Sequence, residues 1–449
     1  MKNSSVKSFK QRSGLIAGAL ILAVALVFGG GASEIGLSQV VVIVVGLIGG
    51  ASLLSDGSGL RRLTLPWSVA AIMVLILLLP LAQLIPLPSG IWRALPGREA
   101  EIAIIDLAGG AHLAHSLALN PLVNLQLFAS LVVLMSFSLI VARLDKADFQ
   151  TLLIIVLALA GFQFLLGLVQ FSSGGQLLDI FGNSHKGWLL GTFANRNHTG
   201  LFFACCILIS VSVLDNLNVK HRNFRLFYAL GLMLLWLLAT LATGSRTGSL
   251  LALLAIAFSL FLMIREIRLR AWIWIAGLVS LLCIGSGLLL STRVQQLVER
   301  YATVGDDQRW SIWRNSLDLI GNYMPWGAGF GSFSAVYNKY EPLSELTPTY
   351  VNNAHNDYLE LLVEAGLPGL VALVAVILIV ILGVSRAVRL EDRSLARSAK
   401  IGGFMILLFA IHSGVDYPVR RMGTAIMLFL AFGLILRQFA TDQKRIATH

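Results

Sequence analysis

The sequence predicts an all-α, polytopic integral membrane protein of about 12 spanning helices, with a large external loop between the ninth and the tenth. Three observations predict it. Charged residues make up 13% of the 449 residues and hydrophobic residues 57%, whereas soluble domains carry about 25% charge. Apolar runs such as ILAVALVFGG, IMVLILLL and LVALVAVILIVILGV sit in windows that reach the ~20 residues a helix needs to cross a bilayer. They lack the ~10-residue alternation of a membrane barrel. Finally, most of the 34 lysines and arginines fall on one side when the N-terminus is placed inside, in stretches such as KHRNFR, REIRLR and RAVRLEDRSLARSAK. This is the positive-inside pattern, so the net charge of +11 follows from topology and requires no nucleic acid.

The spans fall at roughly 13–31, 36–54, 66–86, 121–142, 150–171, 199–215, 226–243, 246–264, 271–291, 368–385, 399–415 and 422–436. The first follows MKNSSVKSFKQR, a basic lead-in of signal-peptide type. No small-x-small cleavage site follows it and a second span comes at once, so an uncleaved anchor is expected. No internal repeat or low-complexity linker divides the chain, and residues 1–449 are expected to form a single polytopic domain. The cytoplasmic loops are short. The external segments 87–120, 172–198 and above all 292–367 are longer, the last with short helices inserted. A transporter keeps its polar residues in broken helices at mid-membrane, whereas here they gather on one outer face. Cys205, Cys206 and Cys283 lie within apolar spans and suggest neither a disulfide nor a metal site.

Five polar stretches on that outer face carry the candidate chemistry. GTFANRNHTG, residues 191–200, is dense in donors, with Asn195, Arg196, Asn197 and His198. TGSRTGSL, residues 243–250, puts Arg246 in a turn between two spans. A guanidinium there suits bidentate binding of phosphate oxygens, and a snorkelling interface anchor is the alternative. DDQRWSIWRNSLDLI, residues 306–320, alternates Arg309, Trp310, Trp313 and Arg314. That pattern is apt for an anionic headgroup and sugar rings, the alternative being an amphipathic helix lying on the membrane. The GAGFGS that follows lacks the G-x-G-x-x-G spacing of a dinucleotide turn.

In NNAHNDYLELLVEAGLPG, residues 352–369, Asn352 or Asn353 is expected to cap a short helix with Asn356 and Asp357 in its first turn. Gly366 is expected to end that helix and Pro368 to begin the next. Helix chemistry leaves His355 unexplained, and a histidine at the outer surface can take a proton from a hydroxyl. HSGVDYPVRR, residues 412–421, sets Asp416, Arg420 and Arg421 in a short external turn. His198, His355 and His412 all map outside. No pair has the spacing of H-E-x-x-H and no cysteine accompanies them, so no metal is expected.

Taken together, these stretches resemble the O-antigen ligase and O-antigen polymerase superfamily of periplasm-facing membrane glycosyltransferases, over about residues 121 to 436. The likeness is most specific at His355-Asn356, followed after nine residues by Gly366-x-x-Gly369. Arg246-x-x-x-Leu250 is similar to the family's Arg-x-x-x-Leu element, and the Arg-Trp segment followed by Pro-x-Gly-x-Gly-x-Gly at Pro325 to Gly331 looks like the family too. Leu370 stands where the ligase signature tends to have Thr or Val. The resemblance implies a bacterial inner-membrane protein with cytoplasmic termini and a site facing the periplasm.

It also implies a metal-independent, inverting transfer with no cofactor. The donor would be a glycan on undecaprenyl pyrophosphate, and the acceptor a sugar hydroxyl of the lipid A core or of a growing polysaccharide. His355 is expected as general base, with Arg246 and Arg309 neutralising charge on the departing pyrophosphate. Asn195, Arg196, Asn356, Trp310, Trp313, Arg314 and Arg420 are the expected substrate-binding residues. A polymerase would use much the same chemistry as a ligase. A protein O-oligosaccharyltransferase would take a Ser or Thr hydroxyl instead. A transporter or flippase needs charge along a mid-membrane path, and these spans hold little.

Overall fold

The computed structural model describes residues 12–31, 36–54, 60–181, 185–216, 222–263, 308–346 and 350–441. Up to residue 263 the helices are α1 (Ser13–Phe28), α2 (Leu37–Gly50), α3 (Trp67–Leu84), α4 (Ser89–Arg93), α5 (Glu99–Leu107), α6 (Pro121–Arg143), α7 (Lys146–Ser172), α8 (Arg196–Asn216), α9 (Arg222–Ala242) and α10 (Arg246–Met263). Then follow α11 (Arg309–Tyr323), α12 (Phe333–Tyr340), α13 (Asp357–Val388), α14 (Arg393–Ser413) and α15 (Met422–Leu436). Strand structure among the described residues is confined to two antiparallel pairs, Arg62–Leu63 with Ala440–Thr441 and Pro86–Leu87 with His115–Ser116.

The protein is thus an all-α, multi-pass membrane protein. Ten helical stretches among the described residues are long and apolar enough to cross a bilayer, and α1, with 16 residues, is a shorter apolar helix. These coincide with eleven of the expected spans. The expected span at 271–291, with Cys283, lies outside the described residues.

Local sequence sets several helix starts. Asn120 accepts a hydrogen bond from the Val123 N–H ahead of Pro121, and Asp392 accepts from Ser394 and Leu395 at the start of α14. Both satisfy backbone donors that have no partner inside the helix. The expected cap at Asn352 or Asn353 is corrected by the structure, which puts Asn356 at the start of α13. Its Oδ1 accepts from Tyr358 N at 3.0 Å and Leu359 N at 3.2 Å, while the Asn353 amide is drawn to Glu360.

The described residues fall into two compact units. One comprises Met1–Leu159, Thr192–Ala194 and Arg309–His449, the other Ala160–Gly191 and Asn195–Gln308. In the first unit α15 is the axis. Every residue from Met422 to Leu436 except Phe432 is buried, packed on α6, α14 and α1. Ser138 Oγ donates to Phe429 O at 2.6 Å. Arg437 donates to the carbonyls of Val141 and Leu144, which end α6 and have no helical partner.

The feature that positions the candidate site is the break in α13 at Gly366, whose backbone is left-handed with φ 54° and ψ −142°. Such a break frees the carbonyls of the preceding turn, and the 325–331 loop takes them up. Ala328 N donates to Val363 O and Gly329 N to Glu364 O, both at 2.9 Å, and Gln83 Nε2 reaches Glu364 O at 3.1 Å. Beyond the break, Leu367 N donates to Pro325 O at 2.9 Å. A Cβ on Gly366 would lie 2.2 Å from Pro325 O, and one on Gly327 would lie 2.4 Å from Glu364 O. Only glycine permits that approach. The glycine-rich loop is therefore a clasp between two stretches of backbone.

In the second unit α8, α9 and α10 pack on one another, with α8 buried along most of its length. Trp236 Nε1 donates to Ser210 Oγ at 3.0 Å, and its ring stacks on Phe203 with centroids 5.6 Å apart.

Candidate active site

His355 precedes the cap of α13 in the left-handed region, at φ 50°. For a residue with a Cβ this costs roughly 1–2 kcal/mol, and such residues persist where their surroundings over-determine them. The imidazole Nδ1 lies 3.3 Å from Asp416 Oδ1, and the ring meets Tyr417 edge-on with centroids 5.0 Å apart. Asp416 is fully buried, while His355 is 28% exposed.

The carboxylate also accepts from Tyr417 N at 3.0 Å. Arg309 Nη2 and His412 Nε2 each stand 3.9 Å from its Oδ2. Arg309 Nη1 donates to Val415 O at 2.7 Å, so α11 and the 414–417 turn are joined beside the histidine. A histidine whose Nδ1–H is held by a buried carboxylate presents Nε2 to take a proton, and the carboxylate stabilises the imidazolium that results.

Asn356 Nδ2 donates to Gly414 O at 3.0 Å, so both ends of its amide are engaged by backbone. Trp313 Nε1 donates to Ala354 O at 3.0 Å and fixes the residue before the histidine. Trp310 meets the Trp313 ring edge-on, with centroids 5.0 Å apart, and is 53% exposed. Arg314 is exposed one turn further along α11.

Arg420 lies within a group of acids. Its Nε is 3.1 Å from Glu360 and 3.8 Å from Asp357, and Nη1 is 2.7 Å from Glu364. Burial alone would lower the guanidinium pKa. The carboxylates of Glu360, Glu364 and Asp357 outweigh that effect and hold it above its ordinary value. Glu364 Oε1 in turn accepts from Gly331 N at 2.9 Å and Phe333 N at 3.2 Å, which ties the ion cluster to the clasp.

In the second unit, Asn195, Arg196 and Arg246 come together at two helix starts. Asn195 Oδ1 accepts from Asn197 N at 2.9 Å at the opening of α8. Ser245 Oγ accepts from Gly248 N at 3.0 Å at the opening of α10 and donates to Asn197 Oδ1 at 2.9 Å. Arg196 and Arg246 are the first residues of these helices, and the Arg196 guanidinium sits 5.8 Å over the Trp188 ring. Paired helix N-termini with two guanidinium groups form an environment suited to an anion.

Sequence reasoning placed Asp416 in its turn but gave it no role, and it gave none to Glu360 and Glu364. A signal existed for the acids. Asp357, Glu360 and Glu364 are spaced 3 and 4 apart and so share one helix face. In a chain with 13% charged residues, such a face beside a membrane span needs a cationic partner.

No curated protein matches the chain. Residues 231–374 match the family model described as O-antigen ligase. The matched segment holds Arg246, Arg309, Trp310, Trp313, Arg314, the clasp and His355, while Asp416 and Arg420 lie beyond it. The match makes this third of the chain similar to the O-antigen ligase family and supports glycan transfer of the ligase or polymerase type.

Proposed function

We propose that the protein is a metal-independent, inverting glycosyltransferase of the bacterial inner membrane, acting on the periplasmic side. It moves a glycan from undecaprenyl pyrophosphate to a sugar hydroxyl of the lipid A core. The observation that carries this reading is His355 held by the buried Asp416 within the turn that opens α13.

With its Nδ1 proton directed at Asp416, His355 Nε2 takes the proton of the acceptor hydroxyl as that oxygen attacks the anomeric carbon. The new C–O bond forms on the face opposite the leaving group. The bond to the phosphate oxygen breaks, and its electron pair departs with the lipid pyrophosphate. Attack from the opposite face inverts the anomeric centre. Negative charge grows on the pyrophosphate, and Arg246 and Arg309 are the cations assigned to it. Trp310, exposed beside the ring that fixes Ala354, is the surface assigned to a sugar or lipid.

The test is transfer of radiolabelled lipid-linked glycan by purified protein in detergent. His355→Ala is expected to lose about 10²- to 10⁴-fold in rate. Transfer at the wild-type rate by His355→Ala overturns the assignment of the base. Lipopolysaccharide from a strain lacking the gene is expected to run as bare core on a gel. Core carrying a single repeat would instead make the enzyme a polymerase.

A further inference from the structure

We infer that Glu360 is a positioning residue that holds His355 in its left-handed conformation, with Arg420 as the countercharge that keeps the carboxylate in place. The inference rests on His355 being the base and adds what orients it. A left-handed histidine reverts to ordinary backbone unless its neighbours are fixed on both sides. Downstream, the Asn356 cap fixes the chain.

Upstream, the two oxygens of Glu360 are spent on the two residues that precede His355. Oε1 accepts from Asn353 Nδ2 and Oε2 from Ala354 N, both at 2.9 Å. The other polar groups there are taken as well. Asn353 Oδ1 accepts from Arg421 Nη2 at 3.0 Å, and Ala354 O accepts from Trp313 Nε1 at 3.0 Å. The clamp closes on itself, because Glu360 stands on the first turns of the helix that His355 precedes.

Glu360 is 1% exposed, and a carboxylate buried to that degree requires a cation. Arg420 Nε, at 3.1 Å, supplies it. A glutamine at 360 keeps the shape but has one acceptor oxygen, and its amide turns a donor toward another donor in either orientation, at Ala354 N or at Asn353 Nδ2 and Arg420 Nε together. The histidine then loses its fixed approach while the substrate contacts remain.

The experiment compares Glu360→Gln, His355→Ala and the double variant in the transfer assay, together with hydrogen–deuterium exchange of the segment holding Ala354. Glu360→Gln is expected to lower kcat about 10- to 100-fold, as misplacement of a catalytic group does. KM for donor and acceptor should stay within about twofold, the pattern of a group felt only in the transition state. The Ala354 amide should exchange faster than in the wild type. The double variant should be no slower than His355→Ala alone, because Glu360 acts through the histidine.

Loss that adds to that of His355→Ala overturns the inference, as does a raised KM at unchanged kcat or an unchanged Ala354 exchange rate. If His355→Ala keeps the wild-type rate, the base assignment falls, and the exchange rate alone then decides whether Glu360 holds this turn. Should Glu360→Gln not fold, Asn353→Ala retains the carboxylate and removes two of the links. It is then expected to show the same split between kcat and KM, and a fall in neither overturns the inference.

Discussion

Two kinds of helix start in this protein are built in opposite ways. α13 begins with Asp357 and Glu360 in its first turn, where negative charge suits the positive end of a helix. The arginine that meets those acids, Arg420, comes from another element, the short turn at 418–420. α8 and α10 carry no acid in their first turns and begin with arginines themselves, cation on positive helix end. The first arrangement cancels charge internally and fixes a turn. The second sets positive charge at the positive ends of two helices, the combination an incoming anion meets best.

The largest expected effect breaks the first arrangement. Arg420→Ala leaves Glu360 and Glu364 buried without their cation, and removing one partner of a buried ion pair costs about 3–5 kcal/mol. Thermal unfolding in detergent should show a large drop in Tm, with Arg420→Lys recovering part of it. An unshifted Tm for Arg420→Ala would mean that the three carboxylates do not depend on this cation.

The next effect concerns the second arrangement. Removing one preorganised donor from a developing anion costs about 10²-fold in rate. Arg246→Ala is expected to lose that much in transfer, with weakened binding of the lipid-linked donor. Arg246→Lys should recover only part, because an ammonium lacks the planar fork of the guanidinium. Unchanged rate and donor affinity in both variants would remove Arg246 from the reaction.

Much of the architecture was legible because membrane spans are specified by length and apolarity alone, and eleven of the expected spans have their helix. The break at Gly366 was legible too, since a glycine followed shortly by proline is a local signal. The cap of α13 was misplaced by three or four residues. Asn352, Asn353 and Asn356 are equally good caps by chemistry, and the choice among them is made by Glu360 taking the Asn353 amide.

The partner of His355 was harder still. Asp416 is 61 residues away along the chain, and nothing local to either residue announces the pairing. The clasp illustrates the same limit. Pro325 to Gly331 stood out as a motif, yet its purpose depends on carbonyls that a kink elsewhere sets free.

The smallest expected effect is the one that best separates the two roles open to Arg246. Arg246→Gln removes the cation from the start of α10 and keeps a side chain of good helix propensity. If the arginine is kept for an incoming anion, its removal is felt in transfer and not in the fold. Transfer should then fall while the stability of the unliganded protein stays unchanged. If the arginine is a membrane-interface anchor, its guanidinium is held by headgroups. The same substitution then lowers stability in lipid nanodiscs and leaves transfer by the folded fraction unchanged. Unfolding and transfer measured on the same nanodisc samples decide between the two cases, because the first lowers transfer at unchanged stability and the second lowers stability at unchanged transfer.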